Sequence, residues 1–129
     1  GDILFIEGHP ILWAGPVQNW LDACDHILAL DPALVVPGHG PVTDARGVRA
    51  VRDYLVYLRD EARKRYDAGM PALEAARDIN LADYDSWGDA ERIAVNVTVL
   101  YKEFAGDTSA NDVLALFGLM AQLHRDRRR

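Results

Sequence analysis

The sequence predicts a layered α/β fold at the N-terminal end that gives way to helix. Two short apolar runs, at residues 3–6 and 34–36, have the length and composition of buried strands. Between them the apolar residues Val17, Trp20, Leu21, Cys24, Ile27 and Leu28 recur at helical spacing. The chain up to His39 therefore reads strand, loop, helix, strand, a βαβ-like order. Near Thr43 the composition changes: β-like punctuation precedes it and nearly continuous helical periodicity follows.

Taken in order, the first strand runs over Ile3-Leu4-Phe5-Ile6 and is broken by Glu7-Gly8-His9-Pro10. Ile11-Leu12-Trp13 reads as a second short strand or a packed loop. Ala14-Gly15-Pro16 punctuates the chain again, with Pro16 suited to the first position of a helix. That helix ends at Asp31-Pro32, because proline disfavours helical geometry in the residue before it. The strand at 34–36 stops at Pro37-Gly38.

Thr43 or Asp44 can cap the following helix, whose seam runs Val48, Val51, Leu55, Leu58, Ala62. The arginines on its other face are interleaved with acids, the pattern of a solvated surface rather than a nucleic-acid interface. Gly69 suits a helix end, and Pro71 starts a short helix to about Ile79. Tyr84 and Trp87 are placed to pin the loop at 80–88 to the core. Ser86 with Asp89, and Ser109 with Asp112, have capping-box spacing before two further helices. The first carries Ile93, Val97, Leu100 and Phe104 on one face; the second carries Val113, Leu116, Phe117, Met120 and Leu123. Asn96-Val97-Thr98 has the form of a glycosylation acceptor but falls within a helical pattern, and is read as a chance match.

A chain of 129 residues is enough for one domain with a real core. A net charge of -6 gives no global attraction to nucleic acid or anionic membrane. The single cysteine, Cys24, excludes an internal disulfide framework and a multi-cysteine zinc site, and fits a reducing, cytoplasmic setting. No apolar run has the length of a membrane span. The chain opens on Gly1-Asp2 rather than Met, directly before a strand-like run, so it is expected to be part of a longer protein.

Several catalytic patterns are missing: a phosphate-binding glycine loop with lysine, a G-x-S-x-G elbow and an H-E-x-x-H helix. Cys24 lies on an apolar helical stripe, where a buried thiol is inert. What remains are polar groups at strand ends. Asp2 stands just before the first strand, and His39 stands just after the second, inside the tight turn Pro37-Gly38-His39-Gly40-Pro41. Zinc takes both ligand types, but a catalytic zinc needs about three protein ligands and an open position. His9 is a candidate third group, although Gly8-His9-Pro10 reads equally well as a turn; His26 and His124 lie on helices and read as surface residues.

Asp2 within Gly1-Asp2-Ile3-Leu4-Phe5, followed by Pro37-Gly38-His39-Gly40-Pro41 after a valine-rich strand, resembles the last third of a metallo-β-lactamase-fold hydrolase. The resemblance implies that Asp2 bridges two zinc ions and that His39 is a ligand of the second. His9 and Trp13 would line the substrate pocket. In such enzymes the metals generate hydroxide from bound water and clamp the substrate's carbonyl or ester oxygen. The family's H-x-H-x-D-H signature and its next histidine ligand are not in these residues. The expected architecture is therefore a partial second half of an αββα sandwich, with two or three strands over residues 1–42, and a helical extension packed on it over 43–129. Such a piece would be inactive alone and would bind zinc weakly. Its expected partners are the missing N-terminal half or a second copy of the chain, because a small sheet leaves open edges. The substrate of the parent would be a small ester, thioester or lactam-like molecule. A second expectation, of a different class, is a non-catalytic helical interaction or dimerisation module built on the amphipathic helices after Thr43.

Overall fold

Seven of the eight residues from Ile93 to Leu100 are buried, and that decides the architecture. A helix that is apolar on every side has to run through the middle of a core. In the computed structural model, which describes residues 2–13 and 15–129, five α-helices follow in chain order. They are α1 (Val17–Ala29), α2 (Ala45–Asp67), α3 (Ala72–Asp78), α4 (Ile93–Phe104) and α5 (Val113–Arg127). Helix α4 is the central one; α2, α3 and α5 each pack on it, and α1 packs on α2. Gly1 of the Gly1-to-Phe5 motif and Ala14 of the break before Pro16 lie outside the described residues.

Local chemistry accounts for the helix ends. Asp44 caps α2 by accepting from the Arg46 amide at 2.9 Å, and Gly69, at φ 79°, closes it. Pro16 has no side chain to offer α1, so the Glu103 carboxylate reaches across from α4 and accepts from the Val17 amide at 3.0 Å. A negative charge there also complements the helix dipole. Neither capping box forms. Asp89 turns to φ 60° ahead of a 3-10 turn at Ala90–Arg92, and it is Asp112 itself that caps α5, accepting from the Ala115 amide at 3.0 Å. Ser109 bonds to Asp107 instead.

The expected sheet is not there. Among the described residues the extended contacts are three isolated bridges, Phe5 with His39, Gly8 with Gly88, and Val35 with Thr43. The fold is helical, not α/β, and no part of an αββα sandwich with two or three strands is present. Residues 3–6 and 34–36 are apolar, but each forms one bridge, at Phe5 and at Val35, and neither propagates a ladder. Pro37 and Pro41 remove backbone donors on either side of His39, and of the two runs only Leu4, Phe5 and Val35 are buried, while Ile3, Leu34 and Val36 stay exposed. A single hydrophobic cluster includes Leu4, Leu12 and Cys24 together with residues of α2, α3, α4 and α5, so the opening segment and the helices share one core. No helix among the described residues is long and apolar enough to cross a membrane.

The irregular N-terminal segment is tied down by a buried polar network. The Asn96 amide, fully buried in α4, accepts from the Leu12 amide at 2.8 Å and donates to the Pro10 carbonyl at 2.8 Å. It also lies 3.3 Å from the Tyr54 hydroxyl of α2. His9 is equally buried. Its Nε2 lies 3.2 Å from the Tyr84 carbonyl, which can only accept, so the proton sits on Nε2 and Nδ1 accepts from the Tyr54 hydroxyl at 2.8 Å. The Tyr54 ring stacks on Trp87 and meets Tyr84 edge-on, closing the loop over the network. No buried side-chain nitrogen or oxygen among the described residues is left without a partner. A network is worth its burial only when complete in this way.

Burial pushes the His9 imidazole down from 6.5 to about 4. The unfolded chain therefore takes up this proton well before the folded one does. The His9 contribution is complete above pH 6.5 and is lost as pH falls toward 4, by an amount on the order of 3 kcal/mol. Urea titrations at pH 7 and pH 4.5 should show wild-type stability falling with acid, and H9Q should lose most of that slope. Parallel pH slopes in the two proteins would remove His9 as the responsible group.

Candidate functional site

The Phe5–His39 bridge builds the site. The Ile6 amide donates to the His39 carbonyl at 3.0 Å, and the His39 amide donates to the Leu4 carbonyl at 3.3 Å. This holds two segments of the chain side by side in parallel. Buried Phe5 then stacks its ring on the His39 imidazole, 4.4 Å between centroids and 7° from coplanar. The Arg92 guanidinium lies 5.5 Å from the Phe5 centroid and donates to the His9 carbonyl at 3.0 Å. The site is thereby tied to the buried network.

With the ring so placed, His39 Nε2 lies 2.9 Å from Asp2 Oδ1. The carboxylate oxygen accepts, so Nε2 carries the proton in this pair. Both side chains are open to solvent, at 52% and 75% exposure. They stand at the rim of a cavity of about 700 Å³ whose far wall is α5, with Phe117, Met120 and His124. Trp13 lines this cavity too, its ring 5.5 Å from that of Phe117.

The structure thus brings Asp2, His39 and Trp13 to one cavity. It does not bring His9, whose ring is enclosed in the core with both nitrogens engaged. The polar groups on the cavity wall that the sequence did not mark as site residues are Asp89, Glu91, Arg92, His124 and Arg125. Imidazole Nδ1 of His124 lies 3.6 Å from Glu91 Oε2, a second histidine–carboxylate pair. Periodicity could place His124 on a helix, but only the docking of α5 on α4 brings it here. Cys24 is enclosed under α1, and burial raises its thiol to about 11, which keeps it protonated and inert.

Two donors on a tetrahedral zinc, each at 2.0–2.1 Å, lie about 3.3 Å apart. The 2.9 Å separation of Asp2 and His39 would need only a few tenths of an ångström of widening to share such an ion. A complete centre is another matter. Among the described residues no group of three or more histidine, cysteine, aspartate or glutamate side chains could hold a metal ion. Asp2 and His39 are the two donors that the resemblance names, and among the described residues no third joins them in such a group.

No protein-family model matches the chain, and no curated protein matches it in sequence. The site has to be read from its own geometry.

Gly40 is what lets the turn close on Ile6. At φ 92°, a Cβ on residue 40 would lie 2.1 Å from the Ile6 carbonyl oxygen. Gly69 has a similar φ, 79°, with nothing within 4 Å of its Cβ position. G40A should therefore destabilise by about 2 kcal/mol or more beyond G69A, measured by thermal or urea unfolding. Equal losses would mean that the close approach to Ile6 does not matter.

Proposed function

We propose that this chain carries two ligands, Asp2 and His39, of a zinc-dependent hydrolase centre that is completed by groups from outside these residues. The observation that supports the reading is the pairing itself. Two residues 37 positions apart, each in a motif resembling a ligand motif of the metallo-β-lactamase superfamily, have their donor atoms 2.9 Å apart at the rim of one cavity. A structural pair would gain little from lying so open to water, since exposed ion pairs contribute about 0–1 kcal/mol. The helical architecture around the pair belongs to this chain and is no part of the resemblance. Alone, the chain would be inactive.

Zinc titration followed by calorimetry tests the reading. The chain should bind zinc weakly, and H39A and D2N should each weaken that binding by about tenfold or more, the scale on which lost ligand support is felt. A polypeptide extended upstream of Asp2 should hold zinc tightly. Absence of zinc binding in both forms would sink the proposal.

A second reading is favoured by a different observation. Leu34, Val36 and Val42, which flank the Val35–Thr43 bridge, are 68%, 76% and 57% exposed. Apolar residues grouped in this way mark interaction surfaces. On this reading the chain is a non-catalytic module that pairs with a second copy of itself. Light scattering should then give a dimer that V36D converts to monomer. A wild-type monomer at every concentration tested would rule this out.

A further inference from the structure

Helix α5 breaks the rule that α4 obeys. From Val113 to Ala121 it carries no charged or polar side chain. A helix apolar all round is normally buried all round. Here one side alone meets the core, through Leu116, Met120 and Leu123. The opposite stripe is Leu114, Gly118, Ala121 and Arg125, spaced four, three and four residues apart, and all four are exposed. Leu114 is 82% exposed, and Phe117, at the edge of the stripe, 53%. A glycine inside a helix weakens it. No crowding within the chain calls for Gly118, since a Cβ there would have nothing within 4 Å. A bare backbone on an apolar stripe lets another backbone come close.

We infer that α5 pairs antiparallel with α5 of a second copy of this chain, the two helices crossing at Gly118. Charge at the two ends of the helix selects this occupant. Asp107 and Asp112 are exposed at its N-terminal end, and Arg125, Arg128 and Arg129 at its C-terminal end. With a two-fold axis at Gly118, Arg125 of one copy comes level with Asn111 of the other, next to Asp112, and Arg128 and Arg129 extend toward Asp107. Opposite charges therefore meet at both ends, while Leu114 and Phe117 are covered between them. A parallel pair would bring like charges together. An anionic membrane would attract the arginine end and repel the aspartate end. This face is separate from the one around Val36, and the inference depends on neither reading above.

Light scattering over a range of concentrations tests the pairing. The chain should form a dimer. L114D should weaken it by about a hundredfold or more, the loss of one buried leucine on each side. G118W should weaken it similarly without lowering the unfolding midpoint, because the space at that position is open within the chain. V36D should leave the dimer intact. G118C should give a disulfide-linked dimer on mild oxidation, since the axis brings the two new thiols together while Cys24 stays buried. A chain monomeric throughout, a dimer that survives both L114D and G118W, one that V36D alone dissolves, or a dimer of G118C that does not cross-link would each overturn the inference. So would co-sedimentation with phosphatidylserine vesicles that L114D abolishes, which would assign the face to a membrane.

Discussion

Asn96 and Tyr54 are the points at which an irregular segment becomes a fixed wall. Residues 2–13 have no helix and no sheet of their own, yet they run through the core, where unpaired backbone groups are costly. The Asn96 side chain answers two of those groups, at Leu12 and Pro10, and the Tyr54 hydroxyl joins Asn96 to His9. Arg92 adds the His9 carbonyl to the same frame and reaches the Phe5 ring that carries His39. The placement of the solvent-facing pair therefore depends on a network that solvent never reaches. Losing one member would strand buried polar partners, which is costlier than losing an equivalent surface bond.

Helices were legible in the sequence and the sheet was not. The stripes at Val48, Val51, Leu55, Leu58 and at Val17, Leu21, Cys24 are buried as their spacing requires. Periodicity over many residues leaves little room for another answer. The runs at 3–6 and 34–36 are too short for that discrimination, since a brief apolar stretch looks the same as a strand, a buried loop or part of a helix. Here each forms one bridge and stops. The capping boxes failed for a related reason: a spacing of three residues shows which cap is possible, and the local backbone decides which one forms.

The site was legible in part. Asp2 and His39 stand out by their motifs and do meet, and Trp13 does line the cavity. His9, flanked by glycine and proline, reads as a candidate third group of the site or as a turn, and nothing local reveals that Tyr54, far along the chain, receives its ring. The contribution of α5 was equally hidden, because His124 and Arg125 enter the cavity through the angle at which one helix lies on another. The two sides of the cavity thus come from opposite ends of the chain. The irregular segment presents the imidazole and the carboxylate, and the last helix presents the guanidinium.

The buried asparagine has a further implication for how the protein can be made. Asn96-Val97-Thr98 has the form of an N-linked glycan acceptor, yet both polar atoms of that amide are engaged inside the core. A sugar could be attached only to a chain that had not yet folded, and it would then block the packing of α4 against Pro10 and Leu12. Production through a eukaryotic secretory route would set glycan transfer in competition with folding, and any glycosylated product would be material lost to the native state.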